Sequence, residues 1–74
     1  MNPDSNPVAL ELAQLEAQIQ GHLSGRLVSL QLSLREEGLV LRGRARTYYV
    51  KQLAQHAAMR ATKIPIRANE IQVD

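Results

Sequence analysis

Cysteine is absent from this 74-residue chain, and so are tryptophan and phenylalanine. Without cysteine there is no disulfide framework, no thiolate nucleophile and no cysteine-ligated zinc. No apolar run exceeds three residues, far short of the roughly 20 that a transmembrane helix needs. The hydrophobic content of 45% is nevertheless too high for a disordered chain. Together these values predict one small domain with a single core and no redox chemistry.

The polar residues form no pattern that is typical of a catalytic or metal site. His22 and His56 lie far apart in the chain with no carboxylate cluster near either, so a structural or exposed role is expected for both. The segment from Gly21 to Gly25 lacks the Gly-Lys-Ser/Thr of a phosphate loop and the preceding strand of a dinucleotide fingerprint. We therefore expect no enzymatic activity, no cofactor and no bound metal.

The first half of the chain predicts a helix followed by a β-hairpin. Residues 1–6 are expected to be a disordered lead, and the rest of the chain, residues 7–74, a single domain. A helix begins at Pro7 and ends near Gly21 or Gly25, and its inward stripe is Val8, Leu12, Leu15, Ile19 and Leu23. Alternation then predicts two strands around a turn at 36–38, with inward residues Val28, Leu30, Leu32 and Leu34 on the first and Leu39, Leu41, Gly43 and Ala45 on the second.

The second half predicts another helix and a third strand. Thr47 can cap a helix from Tyr48 to Ala61, with Tyr49 on its inner flank and an inward face of Val50, Leu53, Ala54, Ala57 and Ala61. The outward face is Tyr48, Gln52, Gln55 and Met59. Pro65 makes residues 62–68 a connection to a strand over 69–73, whose inward residues are Ile71 and Val73. A strand reached through a helix lies parallel to its predecessor, so the expected fold is α+β: α-β-β-α-β, a three-stranded mixed sheet with two helices on one face.

The charges are distributed unevenly along the chain. Residues 1–25 carry a net charge of −3, whereas residues 38–67 carry +7 and no acid. Within the basic part Arg42, Arg44 and Arg46, the arginine ladder, alternate along one strand face at spacings of about 7 Å, close to that of neighbouring phosphates. The alternative is an ordinary solvated sheet face. The candidate binding residues are Arg42, Arg44, Arg46, Lys51 and Tyr48.

The order of elements and several local patterns resemble the BON domain, a family named for bacterial osmotic-stress and nodulation proteins. The second strand matches at Gly38, Val40, Leu41 and Gly43, the following helix at Lys51, Leu53, Ala54 and Ala57, and the last strand at Asn69, Ile71 and Val73. Residues 63–66 depart from the family, which usually has Gly-Val after this helix. The resemblance implies a non-enzymatic module that associates with phospholipid membranes or proteins. Gly43 is interpreted as the point where the second helix approaches the strand.

The sequence is compatible with three hypotheses about binding partners. The first is an anionic phospholipid surface or an acidic protein surface, bound through the arginine ladder with Tyr48 and Lys51. The alternative is protein–protein association or a homo-oligomer, in which the acidic first helix of one copy meets the basic face of another and Leu10, Tyr48 and Met59 make apolar contacts. Nucleic acid is the least favoured, because the sheet carries no aromatic residue on which bases could stack. The N-terminus does not resemble a secretory signal, so a cytoplasmic location is expected, or envelope association if a leader has been removed.

Overall fold

A computed structural model describes residues 7–23 and 25–74, so the predicted lead at residues 1–6 lies outside the described residues. The element order is helix α1 (Pro7–Leu23), strands β1 (Leu27–Arg35) and β2 (Gly38–Ala45), helix α2 (Tyr48–Ala61) and strand β3 (Ile66–Val73). The strands form one sheet in the order β1-β2-β3, in which β1 runs antiparallel and β3 parallel to β2. Both helices pack on the same face of the sheet. The predicted α+β fold, α-β-β-α-β, is confirmed.

The core lies between the helices and the inner face of the sheet. The largest fully buried side chains are Ile19 from α1, Leu27 from β1, Leu39 and Leu41 from β2, and Ile71 from β3. Helix α2 contributes small residues, Val50, Ala54 and Ala58, which let its backbone lie close to the sheet. The predicted residues Leu53, Ala57 and Ala61 pack against this core and are only partly buried, whereas Ala58 was not predicted.

A bulge in β1 overturns the predicted inward position of Val28. The register with β2 shifts between Val28 and Gln31, and Ser29 adopts a positive φ of 56°. An extra residue reverses the alternation, so Leu27 is buried and Val28 is 49% exposed. The bulge also accounts for Gly43, where an added Cβ would lie 3.1 Å from the Val28 carbonyl oxygen. The interpretation of Gly43 as a contact point for the second helix is therefore wrong: the close neighbour is the β1 backbone.

Two predicted core residues lie at the margins of the sheet. Leu34 pairs with the buried Leu39 and keeps its predicted inward side, yet it is 42% exposed. Val73 pairs with the buried Ala45 at the other end of the sheet and is exposed to the same extent. Alternation predicts the side of the sheet correctly here, but burial depends on how far the helices extend over it.

Strand β3 begins earlier than the sequence predicts. The connection expected over 62–68 ends at Pro65, and the strand starts at Ile66. The Leu39 N–H donates a hydrogen bond of 2.9 Å to the Pro65 carbonyl oxygen, which brings the chain back to the sheet at this point. The register with β2 then shifts by one residue between Leu39 and Val40. Because the pairing is irregular there, the alternation of apolar residues does not indicate where the strand begins.

Candidate functional site

Two arginines of the ladder are paired with carboxylates of the neighbouring strand. Arg42 lies opposite Glu70 in the β2–β3 register, and its Nε is 2.9 Å from Glu70 Oε1. Arg44 Nη2 is 3.4 Å from Asp74 Oδ1. All four side chains are more than half exposed, so each pair contributes little to stability. An incoming anion at this face would nevertheless meet cations that already have partners.

Arg46 does not extend the ladder. Strand β2 ends at Ala45, so the alternation that placed three guanidinium groups on one strand face holds only for Arg42 and Arg44. Because Leu27 pairs with Ala45, Arg46 leaves the sheet at the same end at which Arg26 enters it. Within the described chain neither Arg26 nor Arg46 has a carboxylate within salt-bridge distance.

Helix α2 begins immediately after Arg46 and presents both tyrosines of the protein to solvent. The Thr47 hydroxyl accepts a hydrogen bond of 3.1 Å from the Val50 N–H, which confirms the predicted N-cap. Tyr48 is 62% exposed, as its outward position predicts. Tyr49 is 64% exposed, so its predicted inner position is wrong. Val50 occupies the centre of the buried stripe, and its neighbour Tyr49 is rotated about 100° away from the core.

These residues form a surface that we call the basic end: Arg26, Arg46, Tyr48, Tyr49 and Lys51. Lys51 borders the same small pocket as Tyr48, one turn into α2, and the first turn of that helix contains no acid. Of the five residues predicted as a binding site, three belong to the basic end, whereas Arg42 and Arg44 are ion-paired beside it. Unbroken alternation pairs Val28 with Ala45 and so places Arg26 opposite Thr47. The bulge shifts the register so that Leu27 pairs with Ala45, which brings Arg26 level with Arg46, and the sequence pattern therefore did not identify Arg26.

The two histidines share a groove that their sequence separation does not suggest. His22 of α1 and His56 of α2 line a cavity of about 380 Å³ between the helices, together with Arg60 and an apolar floor. Among the residues that the structure describes, no carboxylate lines this groove. Within residues 7–23 and 25–74, no group of three or more His, Cys, Asp or Glu side chains could hold a metal ion.

The fold and this surface describe a small α+β domain whose most distinctive chemistry is an exposed basic, tyrosine-bearing end. No protein-family model matches the chain, and neither the curated proteins nor the solved structures contain a match. Neither α1 nor α2, as far as the structure describes them, is long and apolar enough to cross a membrane.

Proposed function

We propose that this protein is a non-enzymatic, BON-like binding module that associates with anionic phospholipid surfaces through its basic end. One observation carries the proposal. Two adjacent tyrosines, each more than 60% exposed, lie at the same end of the molecule as Arg26, Arg46 and Lys51, which have no ion-pair partner in the described chain.

The chemistry of this end matches the boundary between lipid headgroups and water. Tyrosine has an apolar ring and a polar hydroxyl, a combination that is enriched at membrane interfaces. Each basic side chain near an anionic leaflet contributes about 1 kcal/mol, so three of them contribute about 3 kcal/mol. This attraction decays within a Debye length of about 8 Å at physiological salt. Binding is therefore expected to be weak, reversible and sensitive to salt.

Cosedimentation with vesicles tests the proposal. Vesicles of phosphatidylcholine containing phosphatidylglycerol should bind the protein at low salt, and pure phosphatidylcholine vesicles should not. The double variant Arg26→Ser/Arg46→Ser should lose most of this binding. The matched control is Arg60→Ser/Lys63→Ser, which removes the same charge at the opposite end of α2 and should bind like the wild type.

Equal binding by the two double variants would mean that net charge alone drives adsorption, and the basic end would then have no special role. The single variant Arg42→Ser separates the two candidate surfaces. Because Arg42 is already paired with Glu70, its loss should leave lipid binding unchanged. A strong loss on that substitution would instead identify the outer sheet face as the site. No binding by the wild type at low salt would refute the proposal.

A further inference from the structure

The edge of the sheet at β1 is closed by side chains of α1. The Glu16 carboxylate accepts a hydrogen bond of 3.0 Å from the Leu32 N–H. The Gln20 amide accepts one of 3.1 Å from the Leu30 N–H and donates one of 3.3 Å to the Leu27 carbonyl. These groups would otherwise be free to pair with another strand. A strand from another chain therefore cannot be added at β1 without displacing α1.

The opposite edge, at β3, is open. The Asp74 N–H bonds to the Ala45 carbonyl of β2 at 3.0 Å, and alternation then directs the backbone groups of Asn69, Ile71 and Val73 away from the sheet. One of them is bonded locally, because the Ile71 N–H donates to the Asn69 Oδ1 at 3.2 Å. No strand of the described chain lies beyond β3. Such an edge is a template for pairing with a further strand.

The flank of α2 that borders this edge is symmetric along its length. Its residues, the α2 stripe, are Tyr48, Gln52, Gln55 and Met59, and they line the two clefts between α2 and the β3 side of the molecule. Successive members of the stripe are separated by four, three and four residues, so the spacing is the same from either end of the helix. In two antiparallel copies Tyr48 meets Met59 and Gln52 meets Gln55. The first pair joins an aromatic ring and a thioether that are 62% and 57% exposed, and the second joins two amides.

The centre of the stripe coincides with a point on the open edge. The Asn69 amide donates to the Lys51 carbonyl at 3.0 Å and to Gln55 Oε1 at 3.3 Å. Asn69 therefore lies beside the middle of the α2 stripe. A single two-fold axis can then relate both the two β3 strands and the two α2 helices of a pair of copies. Pairing β3 with its copy about Asn69 places Glu70 opposite Ala68, so the two acids do not face each other.

The spacing of the elements is also consistent with this arrangement. Helix α2 packs over β2 and β3. With strands about 4.8 Å apart, a copy added at β3 would bring the two α2 helices to about 10 Å, a normal distance for packed helices.

We propose that the protein forms a two-fold symmetric dimer through the β3 edge and the α2 stripe, giving a continuous six-stranded sheet. Because the β1 edges at its two ends are closed by Glu16 and Gln20, assembly stops at two copies. This surface differs from the helix-to-sheet contact that the charge distribution suggested. It shares Tyr48 with the basic end, but Arg26, Arg46 and Tyr49 lie outside it, so the variants that test lipid binding leave the dimer surface unchanged.

Sedimentation velocity from micromolar to millimolar concentration tests the dimer. The wild type should pass from the monomer mass to twice that mass. In the variant Gln52→Glu/Gln55→Glu carboxylates face each other across the two-fold axis, while residue 55 keeps an acceptor for Asn69. This variant should raise the dimer dissociation constant at least about tenfold. The matched control Gln14→Glu/Gln18→Glu makes the same changes on exposed positions of α1 and should dimerise like the wild type.

Each remaining result has a defined meaning. A wild type that stays monomeric up to millimolar concentration overturns the dimer, whatever the variants do. Equal dimerisation of the wild type and Gln52→Glu/Gln55→Glu places the contact elsewhere and also overturns it. Species that grow beyond two copies would show that β1 is not closed. If circular dichroism shows that the double variant is unfolded, the single variant Met59→Lys, at a position 57% exposed, replaces it and should weaken the dimer in the same direction.

Discussion

Replacing Gly38 by alanine should destabilise the domain more than the same change at any other glycine. Gly38 opens β2 at a φ of +135°, which side-chain-bearing residues rarely adopt. An added Cβ would overlap the Pro65 carbonyl oxygen and lie 3.1 Å from the Pro65 carbonyl carbon. That carbonyl accepts the hydrogen bond from Leu39 that begins the β2–β3 pairing. The substitution therefore strains the backbone and displaces the start of β3 together.

The expected loss can be estimated from these two effects. A residue held in a sparsely populated backbone region costs about 1 to 3 kcal/mol, and loss of the Leu39–Pro65 hydrogen bond adds about 1 kcal/mol. A total of about 3 kcal/mol is a large part of the roughly 4 to 11 kcal/mol expected for 74 residues. It corresponds to a fall in the melting temperature of about 12 to 24 °C.

Two other glycines provide controls for the same chemical change. Gly21 lies exposed in α1, and beyond its chain neighbours and the helix's own backbone no atom of the described residues lies within 4 Å of an added Cβ. Gly21→Ala should therefore stabilise by about 0.5 to 1 kcal/mol. Gly25 has equally open surroundings but a φ of +77°, so Gly25→Ala should cost about 1 kcal/mol from backbone conformation alone. The order of stability should be Gly21→Ala, wild type, Gly25→Ala and then Gly38→Ala.

Urea unfolding followed by far-ultraviolet circular dichroism measures these differences, because the chain has no tryptophan to report by fluorescence. All variants should be compared at one low protein concentration, since dimerisation would make stability depend on concentration. A Gly38→Ala variant within about 0.5 kcal/mol of the wild type, a difference typical of surface substitutions, would refute the role assigned to the Pro65 carbonyl. A destabilised Gly21→Ala would show that the space beside Gly21 is not open.

Three further predictions concern the elements around the core. Gln20→Ala removes two of the three hydrogen bonds that close the β1 edge, so it should cost about 1 to 2 kcal/mol in urea unfolding, and a neutral result would contradict the closed edge. Thr47→Ala removes the α2 N-cap and should cost about 1 kcal/mol, whereas Thr47→Ser should retain most of the stability. Val28→Thr should be nearly neutral in thermal melts because Val28 is half exposed, while Leu30→Ala should cost about 2 to 5 kcal/mol; equal losses would place the bulge elsewhere.

The sequence predictions were correct where the structure depends on residues that are close together in the chain. The bounds of α2, the Thr47 cap and the turn before Gly38 were predicted correctly. Each depends on the conformational preferences of a few consecutive residues, such as a hydroxyl that caps a helix or a glycine that tolerates positive φ. The inward side of Leu30 and Leu32 was also predicted correctly, because simple alternation holds on that side of the bulge.

The candidate site was predicted less well because it depends on strand pairing. Arg42 and Glu70 are 28 residues apart, and only the β2–β3 register places them opposite each other. The sequence shows an acid-free stretch over 38–67, but it does not show that Glu70 and Asp74, beyond that stretch, lie beside the ladder. Similarly, the bulge at Ser29 depends on how β1 fits against Gly43, which no pattern within β1 reveals.

The sequence by itself determined the order of the elements, their approximate ends and the α+β class, because hydrophobic periodicity, caps and turn residues act over a few positions. The tertiary structure alone decided which cations are paired, which sheet edge is closed and where Tyr49 points. Those outcomes depend on packing between segments that are distant in the chain. For the same reason, the surfaces proposed here for lipid and for a second copy appear only once the strands and helices are assembled.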